Sequence, residues 1–108
     1  MAEPPADARL VPLLLDPTRL RIATALVATD EADFGAVRDR VGLTDSALST
    51  QLKALAAADL ITSRREPTGT AGRTWIGLTP QGREQVGAHI MALREIGSDA
   101  SPGGPGHA

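Results

Sequence analysis

The sequence has 108 residues and a formal net charge of −2, with no cysteine and only two aromatic side chains, Phe34 and Trp75. This length predicts one domain with a modest aliphatic core, and the lack of cysteine excludes disulfides, thiolate metal sites and a cysteine nucleophile. No apolar run reaches the roughly 18 residues of a membrane-spanning helix, and no secretory signal pattern is present, so we expect a cytoplasmic protein without membrane contact.

The first third of the chain predicts a tail, an apolar segment, a helix and a very short strand. Residues 1–9 are rich in proline and alanine, which indicates a disordered tail. Leu10–Leu15 consists of large aliphatic residues around one proline, so we expect it to pack against the domain or a second subunit. An Asp-Pro pair then starts a helix over about residues 17–28. A polar link follows, with a very short strand at Ala32–Phe34.

Two short amphipathic helices are predicted next, the second at Asp45–Ala58. Apolar residues repeat at helical spacing in each helix, and the pattern restarts after Gly42. Gly42 can adopt the left-handed conformation that ends a helix, and Thr44 can accept a hydrogen bond from the next helix's N–H groups. This is a helix-turn-helix signature. The side chains expected to face the core are Phe34, Val37, Val41, Leu48, Leu52 and Leu55.

After the second of these helices the pattern becomes extended. Residues 61–66 and 73–78 are β-prone, and the loop between them is rich in proline, glycine and threonine, which predicts a hairpin. Residues 60–83 carry four arginines against Glu66 alone, so the positive charge is concentrated just after the helix-turn-helix.

The C-terminal part predicts one more helix and a tail. A Thr-Pro pair starts a helix that should run over about residues 80–96. Residues 98–108 are low in complexity and predict a disordered tail, which leaves one domain at residues 10–97. The expected fold class is mainly α with a small β-hairpin, an α+β winged helix-turn-helix.

The order helix, helix, helix, hairpin, helix is the winged-helix arrangement. The segments LDPTRLRIATALVA, VGLTDSALSTQLKAL, ADLI and RTWIGLTPQGR resemble winged-helix transcriptional regulators of the MarR/ArsR-like type over residues 15–96. The resemblance implies a homodimeric bacterial regulator, in our interpretation a repressor, that binds a near-palindromic operator in double-stranded DNA. It also implies a recognition helix at about 45–58 in the major groove, with a wing at about 66–73 on the adjacent minor groove or backbone.

The resemblance gives the candidate DNA-contact residues. On the recognition helix they are Thr44, Asp45, Ser46, Ala47, Ser49, Thr50 and Lys53. On the wing they are Arg64, Arg65, Thr68, Thr70 and Arg73. Hydroxyl groups, a methyl group and basic side chains are suited to base edges and phosphates. Gln51 contacts adenine only if it faces the DNA groove, and it sits beside the apolar stripe of the helix.

Two aliphatic flanks predict a homodimer surface. They consist of Leu10, Leu13 and Leu14 near the N-terminus and of Val86, Ile90, Leu93 and Ile96 on the last helix. A small aliphatic core favours burial that a second subunit completes, and the alternative is that the last helix only closes its own domain. A dimer cleft leaves room for a small apolar effector, which the sequence does not name.

Two acidic residues depart from the family's pattern. Asp45 begins the recognition helix, where its charge repels phosphates unless it serves the helix N-terminus or accepts from a cytosine amine. Asp59 stands where relatives commonly have glycine, and aspartate tolerates the left-handed conformation that the turn needs.

The remaining residues predict neither catalysis nor a cofactor. The sequence lacks a nucleophile–base pair, paired carboxylates and a phosphate-cradling glycine loop, so we do not expect an enzyme. His89 and His107 have no second ligand nearby, so we expect no metal or other cofactor. Trp75 is interpreted as a core or interface aromatic. The acidic balance and the arginine-free recognition helix leave one alternative, a winged-helix protein-interaction module that does not bind DNA.

Overall fold

The computed structural model describes residues 4–67 and 72–99. In chain order, this part contains α1 (Ala6–Arg9), a 3-10 helix (Pro12–Leu15), α2 (Pro17–Val27), β1 (Ala32–Asp33), α3 (Phe34–Val41), α4 (Asp45–Ala57), β2 (Ile61–Glu66), β3 (Arg73–Leu78) and α5 (Pro80–Asp99). The expected fold class, mainly α with a small β-hairpin, is confirmed, and β1 adds a third strand to that hairpin. The helix-turn-helix corresponds to α3 and α4.

Local capping residues fix the two helices of the helix-turn-helix. Asp33 Oδ2 accepts a hydrogen bond from Ala36 N at 3.1 Å at the start of α3. Thr44 Oγ1 accepts one from Ala47 N at 3.1 Å at the start of α4. Gly42 ends α3 with a φ of 73°, the left-handed conformation that a side chain disfavours. The predicted turn is therefore present, with its Thr44 cap.

Three antiparallel strands form the sheet in the order β1, β3, β2. Trp75 in β3 lies opposite Arg64 of β2 on one side and Asp33 of β1 on the other. The short strand expected at Ala32–Phe34 is confirmed for its first two residues, while the third begins α3. Asp59 joins α4 to β2 with a φ of 59°, so the turn retains its left-handed residue with aspartate in place of glycine.

The core is aliphatic, and α2, α3, α4 and α5 all contribute buried side chains to it. Its fully buried large side chains are Leu14, Ile22, Leu26, Leu48, Leu55, Leu60, Ile76 and Val86. Phe34, Val41 and Leu52 are partly buried against this cluster. Leu14 and Val86 were predicted for the dimer interface. They lie instead in the core of the single chain, where they present no surface to a second copy.

His89 is also part of the interior, which the sequence did not predict. The side chain is 0% exposed, and its Nδ1 accepts a hydrogen bond from Val11 N at 2.9 Å. Its Nε2 is buried without a hydrogen-bond partner in the described residues. Burial lowers the pKa of His89, and the backbone carbonyl of Leu14 opposes this only in part.

The two ends of the chain are more regular than predicted. Residues 6–9, expected in a disordered tail, form α1, which packs against α5. Arg9 forms an ion pair with Glu95 of α5, and this fixes the N-terminal turn to the last helix. α5 itself continues to Asp99, so residues 98 and 99 are helical rather than part of a tail. The rest of the predicted C-terminal tail lies outside the described residues.

Within the described ranges, no helix combines the length and the apolar character that are needed to cross a bilayer.

Candidate nucleic-acid interface

α4 has one apolar side and one exposed polar side. Leu48 and Leu55 are fully buried, and Leu52 packs partly against them. On the opposite side, the exposed candidates are Thr44, Asp45, Ser46, Ser49, Thr50 and Lys53, and Ala47 is half-buried. Thr50 Oγ1 donates to Ser46 O at 3.0 Å, and its two lone pairs stay available to accept hydrogen bonds. The exposed side therefore carries hydroxyl groups, with Lys53 as its basic residue.

Arg38 of α3 neutralises the acidic start of α4. Its Nη1 lies 2.8 Å from Asp45 Oδ1, and its Nε lies 2.9 Å from Asp39 Oδ1. These two hydrogen bonds raise the pKa of Arg38 above its ordinary value. The departure at Asp45 thus has a local explanation, because the carboxylate serves both the helix N-terminus and the arginine of the preceding helix.

Gln51 does not face the exposed side of α4. Its Oε1 accepts a hydrogen bond from Arg19 Nη1 of α2 at 3.0 Å. Arg19 Nε also donates to the carbonyl of Leu13 at 2.7 Å. An adenine contact by Gln51 is therefore not supported, because its amide oxygen already accepts a hydrogen bond inside the protein.

The arginines of the wing lie on opposite faces of the sheet, because successive side chains of a strand alternate between its two faces. Arg64 and Arg73 lie on the outer face, where their guanidinium carbons are 5.8 and 5.7 Å from the centre of the Trp75 ring. Trp75 Nε1 also donates to Glu66 Oε1 at 3.4 Å. The expectation of a core or interface tryptophan is wrong for the core, because the ring is half-buried between two arginines on the sheet surface.

Arg65 alternates to the other face of β2, with Ser63 and Ile61. Its guanidinium covers Gly72, since a Cβ on that glycine would lie 2.9 Å from Arg65 Nη2. Thr68 and Thr70, the two candidates nearest the tip of the wing, lie outside the described residues.

A groove of about 290 Å³ connects the inner face of the wing to α4. Phe34, Leu52 and Ile61 line its apolar part. Ser49 and Lys53 line it from the helix, and Ser63 and Thr74 line it from the strands. The exposed side of α4 and the inner face of the wing are therefore one continuous surface, which no motif in the sequence indicated.

The aliphatic flanks lie just after α1, on the 3-10 helix and on α5, and α1 packs against α5. The candidates Leu10, Leu13, Ile90, Leu93 and Ile96 are half-buried, and each keeps some exposed surface. Met91 on α5 is 50% exposed and Leu15 is 56% exposed. Among the described residues, no group of three His, Cys, Asp or Glu side chains is arranged to hold a metal ion.

A family model described as a winged helix DNA-binding domain matches residues 18–96. The chain belongs to this family. A transcriptional regulator homologue from Pyrococcus horikoshii OT3 has a similar structure, with 22% identity and a TM-score of 0.75 over 81% of this chain and 86% of that chain. MepR of S. aureus, solved as a complex with DNA, has 23% identity and a TM-score of 0.70 over 87% of this chain and 77% of that chain.

ZitR of Lactococcus lactis, a zinc-responsive MarR family member, has 21% identity to this winged-helix protein and a TM-score of 0.57 over 76% of the present chain. The present chain spans 56% of the length of ZitR and 64% of the length of NadR, another similar structure. The expected winged-helix DNA-binding family is confirmed by the family model, and the chain shares its fold with MarR-family structures. No curated protein matches this sequence.

Proposed function

We propose that this winged-helix protein is a homodimeric, sequence-specific transcriptional regulator, acting as a repressor, that binds a near-palindromic operator. One observation supports this most directly: the exposed polar side of α4 and the inner face of the wing form a single surface that a groove connects. In this arrangement α4 lies in the major groove, and the wing lies on the adjacent minor groove or backbone.

The residues on α4 divide into two proposed roles. Ser46, Ala47, Ser49 and Thr50 face base edges, because hydroxyl groups can donate or accept there and the alanine methyl can lie against thymine. Lys53, which lines the groove between α4 and the wing, supplies a phosphate contact. The neutral character of this side suggests that α4 contributes base selection more than electrostatic affinity.

The wing supplies more of the proposed electrostatic affinity. Arg65 is the favoured phosphate contact, because strand alternation directs it to the inner face. Arg64 and Arg73 lie on the outer face, and they stay candidates for contacts with phosphates that flank the wing. Thr68 and Thr70 stay as candidates at the tip.

A homodimer presents two copies of this surface, and two half-sites multiply both affinity and specificity. We assign its interface to the end at which α1 packs on α5, around Leu10, Leu13, Ile90, Leu93 and Ile96, with the exposed Leu15 and Met91. MepR of S. aureus, which has the same fold, is a DNA complex in its solved structure. Operator binding implies a cytoplasmic protein, and a cleft between subunits is the proposed place for an apolar effector.

Selection of bound duplexes from a random pool, with the mass of the complex measured in the same buffer, tests this function. We expect an enriched palindrome with half-sites about one helical turn apart and two protein chains per duplex. Arg65→Ala should weaken binding to every sequence and flatten the salt dependence by about one phosphate contact. Arg21→Ala removes an exposed arginine from α2 and is the charge-matched control. A pool without enrichment at low salt would contradict the proposal and favour the protein-interaction module.

A further inference from the structure

Arg64 is already bound to carboxylates before any DNA is present. Its Nε donates to Glu31 Oε1 and Oε2 at 3.2 and 2.9 Å, and its Nη2 donates to Glu31 Oε1 at 2.8 Å. Its Nη1 lies 3.6 Å from Glu66 Oε2. This bidentate geometry is the one in which a guanidinium also binds a phosphate, so the carboxylate occupies the same donors.

Glu31 lies in a loop whose backbone is held in place by contacts with the rest of the domain. The loop between α2 and β1 lies directly on Gly77 of β3, where an added Cβ would be 2.5 Å from the carbonyl oxygen of Asp30. Thr29 Oγ1 donates to the carbonyl of Glu31 at 2.8 Å, and Arg83 Nη2 donates to the carbonyl of Thr29 at 3.0 Å. The backbone on both sides of Glu31 is therefore held against the sheet.

The charge that the wing can offer to DNA is smaller than its arginine count suggests. Glu31 comes from 33 residues earlier in the chain, outside the basic stretch. Because it pairs with Arg64 on the outer face, it removes that arginine's donors without affecting Arg65 on the inner face. We propose that Glu31 competes with DNA phosphates for Arg64, and thereby limits the affinity of the wing for DNA. This inference rests on the proposed function.

A double-mutant cycle on Glu31 and Arg64 tests the competition. Binding of wild type, Glu31→Gln, Arg64→Gln and the double variant to a labelled mixed-sequence duplex of about 30 base pairs is followed by anisotropy across a salt series. Glu31→Gln should bind roughly threefold to tenfold more tightly at low salt, with a salt dependence steeper by about one phosphate contact. The second substitution, Arg64→Gln, should abolish this gain, while alone it should change the affinity much less.

Asp30→Asn is the matched control, because it removes the same charge from the neighbouring exposed residue. We expect it to tighten binding less than about twofold, without a change of salt slope. Equal gains for Glu31→Gln and Asp30→Asn, or a gain that persists in the double variant, would overturn the competition but leave the proposed function intact. If neither wild type nor Glu31→Gln binds any duplex, both proposals fail. Circular dichroism melting of each variant establishes that it is folded.

Discussion

The guanidinium of Arg19 and the amide oxygen of Gln51 are 3.0 Å apart, which joins α2 directly to α4. The same guanidinium donates a hydrogen bond from Nε to the carbonyl oxygen of Leu13 at 2.7 Å. One side chain thus connects the N-terminal segment, the first core helix and the helix proposed to read DNA. The arrangement depends on a fork of donors, which lysine does not offer.

Arg19→Ala should therefore lower the free energy of unfolding by about 1.5–3 kcal/mol, since a carbonyl and an amide both lose a charged donor. Gln51→Ala removes only one of these contacts and should cost about 0.5–1.5 kcal/mol. Urea unfolding followed by circular dichroism measures both. A Gln51→Ala cost equal to that of Arg19→Ala would mean that the Leu13 contact contributes nothing. On DNA, Gln51→Ala should leave the base preference of the selected site unchanged.

The ion pair between Arg38 and Asp45 predicts that substitution of the arginine weakens DNA binding and that a second substitution, at the aspartate, restores it. Arg38→Gln leaves the Asp45 carboxylate unneutralised at the start of α4, so binding should weaken several-fold. Adding Asp45→Asn should restore most of this loss. Asp39→Asn is the control, because Asp39 also pairs with Arg38 but lies outside α4. If the double variant binds as weakly as Arg38→Gln, then Arg38 itself contacts DNA.

His89 predicts a pH dependence of stability. Its folded-state pKa is lowered from 6.5, so the unfolded chain binds more protons as the pH falls below that value. The free energy of unfolding should therefore fall as the pH is lowered through about 6.5, by at most about 1.4 kcal/mol per pH unit. His89→Gln should remove this dependence, whereas His107→Gln should preserve it. Thermal melts of the three proteins in matched buffers make the comparison.

Two glycines of α5 predict opposite outcomes for the same substitution. A Cβ on Gly82 would lie 2.0 Å from the carbonyl oxygen of Leu60, and backbone cannot give way as a side chain can. Gly82→Ala should cost about 3 kcal/mol. A Cβ on Gly87 meets nothing within 4 Å, so Gly87→Ala should stabilise α5 by about 0.5–1 kcal/mol. Urea midpoints at equal protein concentration measure both, and similar values would contradict the packing at Gly82.

Features set by neighbouring residues could be predicted from the sequence. The helix-turn-helix follows from apolar spacing, Gly42 and the Thr44 cap, and the wing follows from two β-prone segments around a loop. Asp59 was expected to tolerate a left-handed backbone, and it does. These predictions succeed because a cap or a turn is decided within a few residues.

Contacts between distant residues could not be predicted in this way. Arg64 meets Glu31 from 33 residues away, and His89 meets Val11 from 78 residues away. Both pairs depend on how strands and helices pack, and one sequence contains no local signal for that packing. Helical spacing on α5 likewise could not separate Val86, which is buried in the core, from Ile90, which is only partly buried.

Trp75 between Arg64 and Arg73 gives the protein an intrinsic spectroscopic probe. It is the only tryptophan of the chain, which contains no tyrosine. Excitation of the indole therefore reports on the outer face of the wing alone, without contributions from other parts of the molecule. Displacement of either guanidinium from the ring by a bound anion would change the emission. Wing occupancy can thus be followed in the unlabelled protein, separately from events on α4 or α5.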